Sequence, residues 1–423
     1  MRKSVLITLL FIILFFFQIS FFVIAQNISL ATITVEAGNF TRINTPVSLP
    51  LDDITLNVDN ELFLEEILKE RSVEVPCQIE QGVSPRLWWI LSGKTKPGEK
   101  RIFRLSEGKT IEGAPVKVRK GSDALQIFVN NKKVLQYFHA PVSPPEGVDS
   151  IFARSAFIHP LWSPSGAILT RIQPPDHYHH YGIWNPWTKT NFEGREVDFW
   201  NLGKGQGTVR FKSFISLISG QVFGGFKAIH EHVDLTAPQG EKNAMNEEWD
   251  IRVWNVGGGD GFWLWDLTSK LNCASSSPII LEQYRYAGFG FRATEYWTNK
   301  NSGVLTSEGK TRKDGDATRA RWSNIYGVTE TGTSGIVFMS HPYNREHPEP
   351  MRIWPEDSNG GRGDMFFQFC PIREKSWELK PGKDYILRYR MYVYDGTVTP
   401  ETAERLWQDF ANPPRVRVEK VME

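Results

Sequence analysis

Trp263-Leu264-Trp265-Asp266-Leu267-Thr268 sets the fold class, because Trp263, Trp265 and Leu267 alternate with Leu264, Asp266 and Thr268. Side chains of an extended chain point to opposite faces in turn, so a period of two marks a half-buried strand. The pattern recurs on both sides of this stretch. Trp249, Ile251 and Val253 alternate with Glu248, Asp250 and Arg252. Phe226, Ala228, His230 and His232 share one face, opposite Ile229, Glu231 and Val233. Leu387, Tyr389, Met391 and Val393 alternate with Arg388, Arg390, Tyr392 and Tyr394. Gly257-Gly258-Gly259-Asp260-Gly261 reads as a turn between two such strands. Successive strands with no long helix between them predict one large antiparallel β-sandwich, supersandwich-like, over 146–423. One short C-terminal helix is expected on its outside. Thr399 is its N-cap, Pro400 its first residue, and Ala403, Leu406, Trp407 and Phe410 its apolar stripe.

Upstream, the chain is also all-β. Ala31–Val35 and Thr45–Pro50 are short strands, and Ala124–Val129 with Lys133–Tyr137 form a hairpin across Asn130-Asn131. Leu87–Leu91 and Arg101–Leu105, joined through Lys96-Pro97-Gly98, read as a second hairpin. Leu62–Leu68 fits a helical turn or a strand, its Glu and Leu density leaning towards helix. These runs predict a small N-terminal β-sandwich over 26–145, closed by the proline-rich joint Ala140–Gly147. Residues 1–25 read as a signal peptide, with Arg2-Lys3 followed by an apolar run from Val5 to Ala25. A secreted or periplasmic protein follows, with no stable membrane insertion after removal of that segment.

Composition narrows the function. With 49 basic and 48 acidic residues the chain has no excess charge to attract nucleic acid. Three widely spaced cysteines, Cys77, Cys273 and Cys370, make neither a disulfide framework nor a zinc ribbon, and read as free thiols. Fifteen tryptophans in a chain expected to be exported point to carbohydrate, since a flat indole face stacks on sugar rings.

The chemistry concentrates in Asp176-His177-Tyr178-His179-His180-Tyr181-Gly182-Ile183-Trp184, which carries three of the nine histidines. If this stretch is extended, His177 and His179 share a face and can supply two ligands to a divalent metal, with His180 on the other face. Asp176 can hold one imidazole from behind. Acid–base work by the same histidines is the alternative use. His341 and Asn344, in the proline-bounded loop Ser340–Pro348, are expected to join the cluster. Arg292 closes Tyr286-Ala287-Gly288-Phe289-Gly290-Phe291-Arg292 and can clamp an acidic sugar or bridge across the sheet. Trp184, Trp187 and Trp200 are expected to bind sugar rings. His230-Glu231-His232 reads as structural. A carboxylate pair for a standard glycosidase is not marked among Glu247, Glu248, Asp250 and Asp364.

Arg154–Gly166 running into Asp176–Trp184 resembles a bacterial secreted family of unknown function labelled methane oxygenase PmoA. Its pattern is an Asp-His-Pro-His-His-Arg-Gly motif, followed by Gly-Phe-Gly-x-Arg (here Gly288–Arg292) and His-Pro-x-Asn (here His341–Asn344). Tyr178 and Tyr181 stand where that family has proline and arginine, and the resemblance runs from Val35 to Val393. The resemblance implies a glycan-degradation context. The label is not matched by the sequence, since a membrane monooxygenase needs several spanning helices. The reading is an exported glycoside hydrolase or lyase acting on a plant or algal glycan fragment through a His-rich cleft. A non-catalytic glycan-binding protein and a metal-dependent oxidase are the alternatives.

Overall fold

The computed structural model describes residues 28–52, 54, 61–109, 113–257 and 261–420. The segment expected to be a signal peptide and the centre of the glycine turn at 258–260 lie outside them. The described chain is all-β, with a small sandwich, a large antiparallel sandwich and one α-helix, Pro400–Ala411.

In the small sandwich, a five-stranded sheet runs in the order Arg415–Lys420, Ser29–Glu36, Lys100–Glu107, Leu62–Ile67, Ser72–Glu74. It packs on a three-stranded sheet of Arg42–Pro50, Arg86–Thr95 and Cys77–Glu80 through Ile33, Leu64, Leu87, Trp89 and Phe103. Leu62–Ile67 is a strand, against the helical leaning. Leu62 and Leu64 face the core, while Glu65 and Glu66 lie beside Arg104 and Arg101 of the neighbouring strand. Cross-strand pairing thus accounts for the glutamates. Arg86–Thr95 and Lys100–Glu107 do not form the expected hairpin. They belong to opposite sheets, with the Trp89 and Phe103 rings meeting across the core at 5.8 Å.

The large sandwich stacks two eight-stranded sheets. One is built from the long alternating strands, centred on Lys242–Trp254, Phe262–Cys273 and Tyr385–Asp395. Their inward residues Trp249, Ile251, Trp263, Trp265, Tyr389 and Met391 fill its core. The other runs Met351–Ile353, Phe366–Phe369, Gly290–Arg292, Ile183–Trp184, Phe157–Leu161, Lys132–Phe138, Ala124–Val129, Val116–Lys120. Residues 116–138, expected in the small sandwich, therefore pair into the large one, because Leu125, Ile127, Leu135 and Tyr137 bury in its core. The sheets divide before Val116 rather than at Ala140–Gly147, and Arg415–Lys420 returns to pair with Ser29–Glu36. The hairpin across Asn130-Asn131 forms with both asparagines at positive φ, as a two-residue type I′ turn needs.

Outward residues of the long sheet are also covered. Phe223, Trp254 and Leu264 meet Trp88 and Ile90 of the small sandwich, and the helix lays Leu406 and Trp407 on Trp322, Val337 and Met339. Thr399 caps the helix by accepting from the Thr402 amide. The buried pair Arg42–Asp409, at 3.1 Å, ties the helix to the small sandwich. Among the described residues none of the three cysteines forms a disulfide. Among the described residues no helix is long and apolar enough to cross a membrane.

Close backbone approach in the long sheet is absolute at Gly225, where a Cβ would sit 1.8 Å from the Ile251 carbonyl oxygen. Gly225→Ala forces two paired strands apart. It should cost about 1–3 kcal/mol or more, read as a lowered midpoint in urea unfolding.

Candidate functional site

Two consecutive turns, not a strand, shape the histidine segment. The His177 amide donates to the Pro174 carbonyl at 2.8 Å, and the His180 amide to the His177 carbonyl at 3.0 Å. The loop is closed at its base by the Gln173 amide on the His180 carbonyl and the Gly182 amide on the Arg171 carbonyl. Gly182 has φ +63°, and a Cβ there would lie 2.4 Å from the Ile158 carbonyl oxygen, so glycine is required where the loop re-enters the sheet. The expected split, with His180 facing away from His177 and His179, is thereby overturned. Coiling brings all three imidazoles to one place, with one nitrogen from each within 4.8 Å of the others. The rings of His177 and His180 stack at 4.6 Å, and His179 meets His180 edge-on at 4.9 Å.

The cluster is anchored from behind. Asp176 accepts from His177 Nδ1 at 2.7 Å, from Arg292 Nη2 at 2.9 and 3.2 Å, and from Asn359 Nδ2 at 2.8 Å. Partial burial opposes its charge, but the His177 hydrogen bond and the Arg292 guanidinium outweigh it and hold the carboxyl well below the usual range. Arg292 is 1% exposed and lies over the Trp354 ring. It cannot clamp a sugar as expected; its partner is Asp176. Burial pulls His179 down to about 4 and His180 well below its ordinary value, so both imidazoles are neutral at pH 7. Tyr181 points away from the cluster, donating to the Phe152 carbonyl and accepting from Gln173, which makes it a structural residue.

The imidazoles line a cavity of about 420 Å³. Its aromatic walls are Trp200, Tyr286, Trp354 and Phe366, and its polar lining adds Asn201, Ser358, Asn359, Arg285 and Arg352. Among the described residues no Asp or Glu lines it. Trp200 and Asn201 are held by Asp198, whose Oδ1 accepts from both backbone amides at 3.0 and 2.9 Å. Burial raises the Tyr286 phenol, which stays protonated. Arg352 is shared with Asp316, and Arg285 stacks over Tyr286 at the exposed rim.

Several expected residues lie elsewhere. Trp184 is fully buried beneath His180, and Trp187 packs on Trp377, so neither can stack on a sugar. Trp200 does reach the cavity. His341 packs on Tyr343 and on Phe410 of the helix, and lines no part of the cavity. Asn344 donates to Glu349 at 2.8 Å and to the Arg388 carbonyl, as part of a buried network. His230 and His232 are structural as expected, bonded inside the core to Tyr137 and to Glu247. Arg285, Arg352, Trp354 and Asn359 carried no motif. The visible hints were the Asn359-Gly360-Gly361-Arg362-Gly363 turn and the position of Tyr286 at the head of the glycine–aromatic segment.

A model of a family of unknown function, DUF6807, matches residues 124–408, which include every residue of this site. No curated protein matches. Among solved structures, the chain is similar to an alpha-mannosidase from Enterococcus faecalis V583, with 8% identity, TM-score 0.41, and coverage of 93% of this chain and 46% of that one. It is also similar to a glycosyl hydrolase family 38 protein from Enterococcus faecalis, with 8% identity, TM-score 0.40, and coverage of 92% and 47%. The chain spans less than half the length of either.

The Asn344 network gives a pH signature away from the cavity. Burial pushes the Glu349 carboxyl up to about 7, against neutral donors from Ser340, Asn344 and Tyr389. The folded chain therefore keeps a proton that the unfolded chain releases near 4.5. Stability falls as pH rises between these values, by on the order of 3 kcal/mol. Glu349→Gln should flatten this part of the melting-temperature profile; an unchanged slope would refute the assignment.

Proposed function

The chain belongs to the DUF6807 family, whose function is open, and from the site itself we infer an exported enzyme that cleaves an acidic glycan fragment by elimination. The observation that carries this is the chemistry of the cavity lining: three imidazoles, aromatic walls, two arginines and, among the described residues, no carboxylate. Standard glycoside hydrolysis uses a pair of Asp or Glu side chains flanking the bond, and this lining has none to offer. Elimination from a uronic acid asks for other groups. A basic element takes the C5 proton, cations neutralise the adjacent carboxylate, and an acid protonates the leaving oxygen.

Each requirement has a counterpart. The imidazole cluster is the seat of the basic element, with His179 and His180 held uncharged at neutral pH by burial. Arg285 and Arg352 meet the sugar carboxylate, a role first expected of Arg292. Tyr286, whose phenol burial keeps protonated well above neutral pH, donates to the oxygen that leaves C4. The C5–H and C4–O bonds break as the C4=C5 double bond forms, with no water consumed. Trp200 and Trp354 offer apolar faces to the ring. Export rests on the basic start and apolar run of residues 1–25.

The test is a panel of oligosaccharides carrying uronic acids, with products followed by ultraviolet absorbance of the new double bond and by mass. His179→Ala should lower turnover by about 10²–10⁴-fold with little change in melting temperature, and Arg352→Met should raise KM. Products that have gained water would overturn elimination. Binding of the panel without cleavage would leave a glycan-binding protein.

A further inference from the structure

We propose that His177, His179 and His180 together hold one divalent cation of the zinc class, with an open coordination position facing the cavity. Metal binding stands on its own geometry; the role given to the ion rests on the elimination reading above.

Three nitrogens from one short loop already lie within 4.8 Å of one another. Tetrahedral zinc with bonds of about 2.0–2.1 Å places its ligand nitrogens about 3.3 Å apart, so small rotations of the rings complete the set. Two further observations point to a ligand. His180 is 2% exposed, yet its Nδ1 is buried with no hydrogen-bond partner among the described residues. A buried polar atom left unpaired is costly, and a metal bond satisfies it. His177 Nδ1 is taken by Asp176, itself fixed by Arg292 and Asn359. That carboxylate–imidazole arrangement leaves Nε2 as the free donor and fixes the tautomer, as metal-ligating histidines require. Ring packing against Trp354 and Phe366 explains neither feature.

The donor set decides the class of ion. Imidazole suits zinc, cobalt, nickel and copper, whereas calcium and magnesium ask for oxygen. Three protein ligands with one side open to the cavity is the catalytic pattern rather than the closed structural one. Water on such an ion ionises near neutral pH. The resulting hydroxide takes the C5 proton of the uronic acid and becomes bound water, while Tyr286 gives its proton to the oxygen leaving C4. Loss of a proton from bound water and reprotonation of Tyr286 by solvent reset the site.

The full chain, stripped with a chelator and dialysed, is titrated with zinc chloride alone in a calorimeter, and bound metal is counted by mass spectrometry. One ion per chain is expected, and cobalt in its place should give an intense tetrahedral visible spectrum. Asp176→Asn should keep that stoichiometry at saturation while weakening affinity by about 10–100-fold. His179→Ala and His177→Ala should each abolish stoichiometric binding, with circular dichroism confirming the fold; either folded variant suffices. Absence of stoichiometric zinc in the wild type, or its retention in a folded histidine variant, overturns the site. Full-rate elimination by metal-free protein overturns the ion's role alone. Metal bound normally with no unsaturated product from any uronic acid supports the site and overturns the elimination reading instead.

Discussion

The geometry of the cavity depends on the contact between Arg292 and Asp176. A guanidinium that is 1% exposed must be paired to be tolerated in the interior, and Asp176 is its nearest carboxylate, with Asp364 further off at 3.8 Å. The pair joins a central strand to the tip of the histidine loop. Asn359 donates to both Asp176 and Asp364, at 2.8 and 2.6 Å, and so brings in the loop that follows Trp354. Three segments far apart in sequence are fixed to one another through a single charge. The Asp176–His177 hydrogen bond then passes that rigidity to the imidazoles.

Most of the fold was legible because its strands are long and half-buried. Where a strand has a wet face, alternation survives in the sequence, and Trp249–Val253, Trp263–Leu267 and Leu387–Val393 carry their inward residues as the pattern indicates. Alternation does not say which strand is the neighbour. Leu87–Leu91 and Arg101–Leu105 look like two arms of a hairpin, yet their apolar faces are turned towards each other across a core. The same blindness hid the allegiance of residues 116–138, whose partner strands lie beyond the proline-rich joint. Leu62–Ile67 misled through composition. Its glutamates favour a helix locally, and only pairing with Arg101 and Arg104 makes them suit a sheet.

The site was legible in place and only partly in form. A density of histidine survives any backbone conformation, so the segment identified itself. The assumption of extended backbone then assigned the wrong faces, because hydrogen bonds from the His177 and His180 amides coil the chain instead. Tryptophan was an unreliable marker for a related reason. Trp184 and Trp187 sit on the short strand and just after it, where both sheet faces are covered, and only Trp200 in a loop reaches the cavity. His341 and Asn344 share a proline-bounded loop that looks functional, but Asn344 and Ser340 serve the buried Glu349 and His341 accepts from the Tyr343 amide. Arg285, Arg352 and Trp354 reach the cavity through tertiary packing alone, which leaves no spacing to read.

The disposition of acids explains why the cavity favours an anion in a chain whose net charge is only +1. Asp176, Asp198 and Asp364 hydrogen-bond to residues of the lining without being part of it. Asp198 receives the Trp200 and Asn201 amides and the Lys204 ammonium, and Asp364 receives Asn359 and Arg362. Each carboxylate shapes a loop and is occupied by the donors it satisfies. What faces the cavity is therefore imidazole, amide and guanidinium. An anionic group entering there meets donors and no competing negative charge, in a space where partial exclusion of water strengthens every such contact. Composition alone gives no hint of this, because the selectivity arises from how the acids are occupied, and that is decided by the backbone amides and side chains they hold.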